Sequence, residues 1–572
     1  MSEPAVGIDL GTTYSVIARL DDLGSPRVIP NADGDLSTPS VVYFHDTGVV
    51  VGKEAVKVGR YEPEAVAAFA KRDMGKSDYH KTIRGRRLPP ELIQALILRQ
   101  LRQDALLKLG EFRKVVITVP AYFNEPRRQA TVDAGRVAGL EVLDIINEPT
   151  AAAFAYGMQA GFLGADGRSQ RREEILVYDL GGGTFDVTLM EIDGLRCRAL
   201  ATDGDVFLGG IDWDERIAAF VADQFEGEFG VDVRGDAAAY QCLLQEAEDA
   251  KRALSSRAKV VIHFTYGQHQ LSIPFSAEQL EALTGDLVDR TTFTVKNLLN
   301  EAGRQWRDLT RILLVGGSSR MPLIQKALEQ ESGLALDRSL LTEEPVAMGA
   351  AIYAGILLKQ GGDRPEMQVQ NISSHPLGVL GTELRTGHPR RKVLIPRNTP
   401  LPASGDGIFV TRQDNQAKVV VNVVEGGDAS GRHATRIGQC VVSGLPPRLR
   451  KGTRVKVMFA YATNGRLTVT AELPSVQAQV TMTVDRASGL SEDALEEWRR
   501  WLEAGAVLEV ADEGEQSADP GKDQPAMPGV PQTLHAAQRL EEPSDFDAAS
   551  PADKSQRPSP GLDLGDFLED LV

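Results

Sequence analysis

Three consecutive glycines stand between two acidic residues at positions 178 to 186, YDLGGGTFD, directly after the apolar run Ile175, Leu176, Val177 and Tyr178. Glycine inside a regular element costs about 0.5–1 kcal/mol relative to alanine, so a triple run at a strand end points to a local need. Backbone N–H groups that carry no Cβ neighbours can converge on an anion, as they do in phosphate-holding nests; a strand-end turn is the plainer alternative. The pattern recurs at 7 to 13, GIDLGTT, where a strand end runs into Asp9, Leu10, Gly11, Thr12 and Thr13. A third apolar run enters a polar turn at 312 to 322, ILLVGGSSRMP, through Gly316 and Gly317. Two hydrophobic-Asp-Leu-Gly-Thr turns, 170 positions apart, read as halves of a duplicated α/β unit that each offer a turn to one ligand.

The elements that would position these turns are legible along the chain. Residues 1–359 alternate β-rich apolar runs with helical patterns such as ELIQALILRQLRQDALLKL (91 to 109), the mark of an α/β architecture. Gly361, Gly362 and Pro365 interrupt the pattern and place a linker at 360–371. From 372 to 487 the period changes to two, as in AKVVVNVVEG and in VKVMFAY and RLTVTAEL around Asn464-Gly465, a hairpin signal that predicts a β-sandwich. Residues 488–505 contain SEDALEEWRRWLEAG, a helix with Ser491 as N-cap, Leu495, Trp498 and Leu502 on one stripe and Gly505 as its stop. Residues 506–572 are rich in Pro, Ser, Asp, Glu and Ala and are expected to be disordered. Their last stretch, GLDLGDFLEDLV, sets Leu564, Phe567, Leu568 and Leu571 at helical spacing on an acidic background, which suits either a helix that folds into a partner's groove or a solvated tail end.

Composition narrows the function class. A chain of 572 residues with 42% hydrophobic content can hold three or four cores, enough for a two-lobed enzyme and a binding module. Cys197, Cys242 and Cys440 are far apart and form no CxxC pair, which argues against disulfide scaffolds and zinc sites and for a reducing compartment. The start, MSEPAVGIDL, has no basic region followed by an apolar stretch, and no apolar run reaches membrane-span length, so a soluble cytoplasmic protein is expected. The net charge of −17 argues against a nucleic-acid binder, and residues 511–572 supply much of it, with 14 Asp or Glu against 4 Lys or Arg.

The order of the three turns resembles the seventy-kilodalton heat-shock (DnaK-type) chaperones of the actin and sugar-kinase ATPase superfamily. The likeness extends to VITVPAYFNEPRRQAT (116 to 131), AGRVAGLEVLDIINEPTAAAFAYG (134 to 157), DGDVFLGGIDWDERI (203 to 217) and EAEDAKRALSS (246 to 256), and spans about residues 5 to 505. It implies an actin-like two-lobed α/β ATPase domain, a β-sandwich substrate-binding domain, a short helical remnant of the family's lid and an acidic tail. It further implies ATP, Mg²⁺ and K⁺ as cofactors, with unfolded or extended polypeptides and a nucleotide exchange factor as partners. Backbone amides at Gly11, Thr12 and Thr13 and at Gly181, Gly182, Gly183 and Thr184 would grip the triphosphate, with Tyr14 also in the cofactor-binding set. Phosphoryl transfer needs positioning and charge neutralisation more than covalent help, so Asp9, Asp179 and Glu148 are the candidates for hydrated Mg²⁺. Lys71 resembles the lysine that positions the attacking water, so Lys71, Glu148, Asp179 and Thr184 form the catalytic set. Asp186 and Thr184 resemble ligands of a potassium ion. Glu248, Lys251, Arg252, Ser255, Gly316, Gly317, Ser318 and Arg320 resemble the adenosine pocket, although Lys251 and Arg252 also fit the exposed face of a helix. Val379, Phe409, Val419 and Val421 are expected to line an apolar peptide groove.

The sequence also departs from the resemblance. Only 49 steps separate Lys71 from Pro120, which implies a trimmed lobe. The linker reads EMQVQNISS where the family has a leucine-rich stretch ending in an acid, and Gln368 and Gln370 are expected to gain little apolar docking area. Asp144 stands where the family places an arginine that meets both that acid and a J-domain co-chaperone, so stimulation by a J-domain is expected to be weak or absent. Pro120, Arg128 and Glu148 retain the family's relay between its domains. The resemblance therefore implies an ATP-dependent chaperone, with a nucleotide-binding regulatory or co-chaperone-like protein of weak interdomain coupling as the alternative.

Overall fold

The computed structural model describes residues 4–508 apart from 22, 160–171, 195, 341–343, 359–367, 384, 463–466, 477 and 484–489. Most of the linker at 360–371 and nearly all of the tail at 506–572 lie outside the described residues, as does the Asn464-Gly465 turn.

Two mixed sheets share one topology. In the first, Val6–Asp9 pairs antiparallel with Tyr14–Leu20, which pairs antiparallel with Pro26–Val28. On its other side, Val6–Asp9 runs parallel to Lys114–Val119, which runs parallel to Glu141–Asn147. The second sheet repeats the plan: Glu173–Leu180, Phe185–Asp193 and Arg196–Asp205 form the antiparallel meander, and Arg311–Val315 and Leu336–Asp337 extend it in parallel. The duplication read from the two Asp-Leu-Gly turns is thus a duplication of sheets. Ile175, Leu176, Val177 and Tyr178 are wholly buried because parallel strands are covered on both faces.

Two small-residue helices, Glu148–Gln159 and Pro345–Leu358, cross between the sheets, with Ala151, Phe154, Ala350 and Ala354 in one buried cluster with Ile175 and Val177. A Cβ on Gly349 would collide with the Ala151 carbonyl, so this crossing requires glycine. The asparagine cap of Glu125–Val137 is local: the Asn124 side chain accepts from Arg127 N at 3.3 Å.

The third unit is a sandwich of two four-stranded antiparallel sheets. One runs Pro389–Ile395, Leu377–Thr382, Val419–Glu425, Thr435–Val442, and the other Ala403–Val410, Arg454–Tyr461, Leu467–Leu473, Ala478–Thr483. It sits against the first two units. Glu125 N donates to Glu425 Oε2 at 2.9 Å, Ser374 Oγ to Ala121 O at 2.5 Å, Thr202 N to Asn398 Oδ1 at 3.1 Å, and Arg397 pairs with Asp203 at 3.3 Å.

Two placements differ from what residue types alone suggest. Gln368–Gln370 adds to the edge of the second sheet, parallel to Arg196–Asp205, with Cys197 opposite Val369. The polar linker docks without relying on apolar area from its glutamines: edge pairing is made by backbone groups, and Val369 packs on the buried cluster beneath. The helix Glu492–Glu503 begins as expected, with Ala494 N donating to Ser491 Oγ at 3.2 Å. Its buried face, Leu495, Trp498, Trp501 and Leu502, joins the core of the first lobe alongside Ala130 and Ala134, and Arg136 pairs with Glu492 at 2.6 Å. The helix therefore lies on the first lobe, against Glu125–Val137.

Candidate nucleotide site

The three glycine turns converge on one cleft of about 550 Å³ between the sheets. Asp9, Gly11, Thr12, Thr13, Tyr14, Lys71, Glu148, Asp179, Gly181, Gly182, Thr184, Glu248, Lys251, Arg252, Ser255, Gly316, Gly317, Ser318 and Arg320 all line it. Gly183 and Asp186 lie behind this surface rather than on it.

The triple glycine has a steric explanation. A Cβ on Gly182 would occupy the place of Thr13 Oγ1, and one on Gly183 would collide with the Thr12 side chain. The two turns therefore interlock across the cleft, and Gly183 serves that contact while Gly181 and Gly182 face the cavity. The second turn is held by Gly181 N donating to Thr184 O at 3.0 Å, and by Gly210 N and Ile211 N donating to Gly181 O and Gly182 O at 3.0 and 2.9 Å. Gly316 has φ +81°, a left-handed conformation that glycine adopts freely, and it rests against Leu180 O and Asp179.

At the centre, Lys71 Nζ donates to Glu148 Oε1 at 2.6 Å, and both side chains are buried. Burial disfavours the ammonium, but Glu148, then Asp9 and Asp186, outweigh it and hold the Lys71 pKa above its ordinary value. Burial, then the charge of Glu148, Asp186 and Asp9, raises Asp179 far above the usual carboxylate range. Burial and Glu148 push Asp186 up to about 7 although Tyr122 N donates to it at 2.9 Å. Asp9 accepts from Thr118 Oγ1 at 2.8 Å. Four carboxyl groups crowd around one ammonium, and the raised Asp179 and Asp186 register the mutual repulsion.

That crowding, with the buried Thr13 hydroxyl, which has no partner among the described residues, is what a hydrated divalent cation and phosphate oxygens would satisfy. The fit has a limit. Among the described residues no three carboxylates converge closely enough to ligate a single ion directly. Asp9, Glu148, Asp179 and Asp186 are distributed over two sheets and a helix start, an arrangement that suits a hydrated ion taking few direct carboxylates.

The far end of the cleft mixes cation and apolar surface. Lys251 is buried, donating to Asp214 Oδ2 at 2.7 Å and to Gly210 O at 2.8 Å, so it is not on an exposed face. Burial pushes Asp214 up to about 6 against the pull of Lys251. Arg252 is the exposed one, paired with Glu248 at 2.8 Å and bonded to Tyr14 Oη at 2.9 Å, which joins the two lobes. Asp214, Phe69, Ile211, Met321 and Val346 also line the cleft and were not singled out in the sequence. A buried lysine needs a counter-charge, so the DWDERI stretch did contain a signal for Asp214 once Lys251 was placed in a pocket.

The four residues expected in a peptide groove are buried in the sandwich core: Val379, Phe409, Val419 and Val421 pack with Val423, Cys440 and Phe459. Strand alternation turns Val419 and Val421 inward and leaves Val420 37% exposed, so the outward face of this strand is the accessible one.

Two duplicated mixed sheets around a polar cleft, followed by a β-sandwich docked through an edge strand, define a two-lobed α/β protein with an appended all-β domain. A family model described as Hsp70 protein matches residues 5–84 and 76–527. Two proteins named Chaperone protein DnaK, from Halobacterium salinarum strains R1 and NRC-1, are each 37% identical over 512 residues, 88% of this chain and 78% of theirs. The chain belongs to the Hsp70 family.

Proposed function

We propose that this protein is an ATP-dependent chaperone that binds extended hydrophobic segments of unfolded polypeptides under control of ATP hydrolysis. The observation that carries the reading is the cleft itself: two interlocked glycine turns, a buried lysine and four carboxylates, in a chain of the Hsp70 family. Among the described residues no helix is long and apolar enough to cross a membrane.

In this reading, the turns Gly11–Thr13 and Gly181–Thr184 bind phosphate oxygens through amides other than those of Gly11 and Gly181, which donate to Ser15 Oγ and Thr184 O, and Arg252, Lys251, Ser255 and Ser318 border the base and ribose. Mg²⁺, when bound, neutralises charge developing on the phosphates. Asp9, Asp179 and Glu148 would hold it, largely through water, and Thr184 with Asp186 would border K⁺. Lys71, fixed by Glu148, orients a water toward the terminal phosphate and offsets the charge that grows there.

Communication with the sandwich has a short physical route. Asn147, next to Glu148, accepts from Arg128 Nη2 at 2.6 Å and donates to Asn371 in the linker at 3.4 Å. This favours a coupled chaperone over a regulatory protein in which nucleotide only stabilises the fold. The test is phosphate release from ATP with and without Mg²⁺. Mg²⁺-dependent turnover supports the enzyme; tight ATP binding with no turnover would favour the regulator.

A further inference from the structure

The chain carries a net charge of −17, yet one end of the sandwich is strongly basic. Strand register fixes which loops share that end. Val419 lies opposite Val442, and Val410 opposite Arg454, so residues 411–418 and 443–453 leave the sheets together. Their backbones are joined: Asn415 N donates to Leu449 O at 2.7 Å, Arg448 N to Asn415 Oδ1 at 2.9 Å, and Lys451 N to Asp414 Oδ1 at 2.7 Å. Arg412, Lys418, Arg448, Arg450, Lys451 and Arg454 stand on this rim, all exposed. Asp414 is the lone carboxylate in either loop. Among the described residues no carboxylate forms an ion pair with any of the six cations.

A second feature adjoins the rim. Val420 and Val441 are cross-strand partners on the outer face of the sheet, one residue inside the basic loops, and are 37% and 38% exposed. Cations beside an exposed apolar pair match a segment that is both acidic and apolar. The chain contains one: the last twelve residues, GLDLGDFLEDLV, hold Asp563, Asp566, Glu569 and Asp570 with no base, among Leu562, Leu564, Phe567, Leu568 and Leu571. The 64 residues beyond Leu508 can extend to roughly 200 Å, so chain length does not prevent contact with any face of the protein.

We infer that residues 561–572 dock in cis on this basic end of the sandwich, carboxylates against the six cations and leucines and Phe567 over Val420 and Val441. The tail is then a built-in occupant of a surface selective for acidic, apolar segments, and a client of that chemistry must displace it. The inference does not depend on nucleotide chemistry.

Carbodiimide coupling of the full chain tests it, since this reagent joins a carboxylate to a lysine amine in contact with it. Lys418 and Lys451 are expected to give the dominant links, to acids within 561–572, and mixing isotope-labelled with unlabelled protein is expected to place both ends in one chain. Raising salt to 0.5 M, where charges are screened within roughly 4 Å, should cut the yield at least ~fivefold. Arg448→Ser with Arg450→Ser, which leaves both lysines free to react, should cut it at least ~threefold. Neutralising the tail with Asp563→Asn, Asp566→Asn, Glu569→Gln and Asp570→Asn should remove the links. Coupling spread evenly over exposed lysines, links that ignore salt and the double variant, or links that run between chains would each overturn the assignment.

Discussion

Glu425 makes the contact between sandwich and first lobe pH-dependent. Its carboxylate is buried, accepts from Glu125 N at 2.9 Å and faces the Glu125 carboxyl; Arg128 is the cation in reach. Burial, with a further push from Glu125, raises Glu425 to about 8, and burial raises Glu125 to about 7. His375 Nε2 donates to Tyr122 O at 2.9 Å across the same contact, and burial lowers its pKa to about 4, so it stays neutral near pH 7. When the units separate, both acids return toward ordinary carboxylate values and ionise. The docked form thus holds protons that the separated form does not. Docking is fully favoured below about pH 4.5 and weakens as pH rises through 7 to 8. For Glu425 alone the change between pH 6 and 8 is about 2 kcal/mol, roughly 50-fold in the docking equilibrium. Hydrogen exchange at 368–370 and 435–442, corrected for intrinsic rate, reads that equilibrium. Wild type should lose protection from pH 6 to 8. Glu425→Gln, which can still accept from Glu125 N, should flatten most of the dependence. An unchanged slope in the variant, or protection that grows with pH in wild type, would refute the reasoning.

Other expectations follow from the same geometry. Lys71→Ala should slow ATP hydrolysis by about 10²–10³ while ATP still binds, read by single turnover beside equilibrium binding, because its interaction strengthens as charge develops. Val419→Phe should destabilise the sandwich by about 1–3 kcal/mol in denaturant unfolding, since Val419 faces a packed core. Trp498→Ala should cost about 3–5 kcal/mol in the stability of the first lobe, the unit whose core it joins. A J-domain should stimulate single-turnover hydrolysis weakly, because Asp144 is acidic and already engaged by Tyr353 Oη at 2.8 Å; Asp144→Arg should gain stimulation.

The parts of the site that were legible in sequence are local ones. Asp9-Leu-Gly and Asp179-Leu-Gly are strand ends followed by turns, and a turn's chemistry is written in consecutive residues. Why the second turn needs Gly182 and Gly183 was not, since their neighbours Thr13 and Thr12 are supplied by the other half of the duplication. Asp214 was missed for a related reason: its role depends on Lys251, a helix away. The docking of Gln368–Gln370 was invisible because side-chain polarity says little about a backbone ladder. The apolar stripe of Glu492–Glu503 was plain, but a stripe does not name its partner, and Trp498 found the first lobe. Strand alternation in 419–425 turns Val419 and Val421 inward and Val420 outward, and the packing of the inward pair against Cys440 and Phe459 depends on strands far away in sequence.

The central claim is that nucleotide in the cleft controls the hold of the sandwich on an extended peptide. Dissociation of a labelled hydrophobic peptide, measured by stopped flow with ATP and with ADP, tests it most directly, since coupling between two sites requires each ligand to change the other's affinity. The account predicts faster release with ATP than with ADP, and loss of that difference when Arg128→Ala removes the donor that fixes Asn147 in its contact with Asn371. Equal release rates with the two nucleotides in the wild-type protein would contradict it.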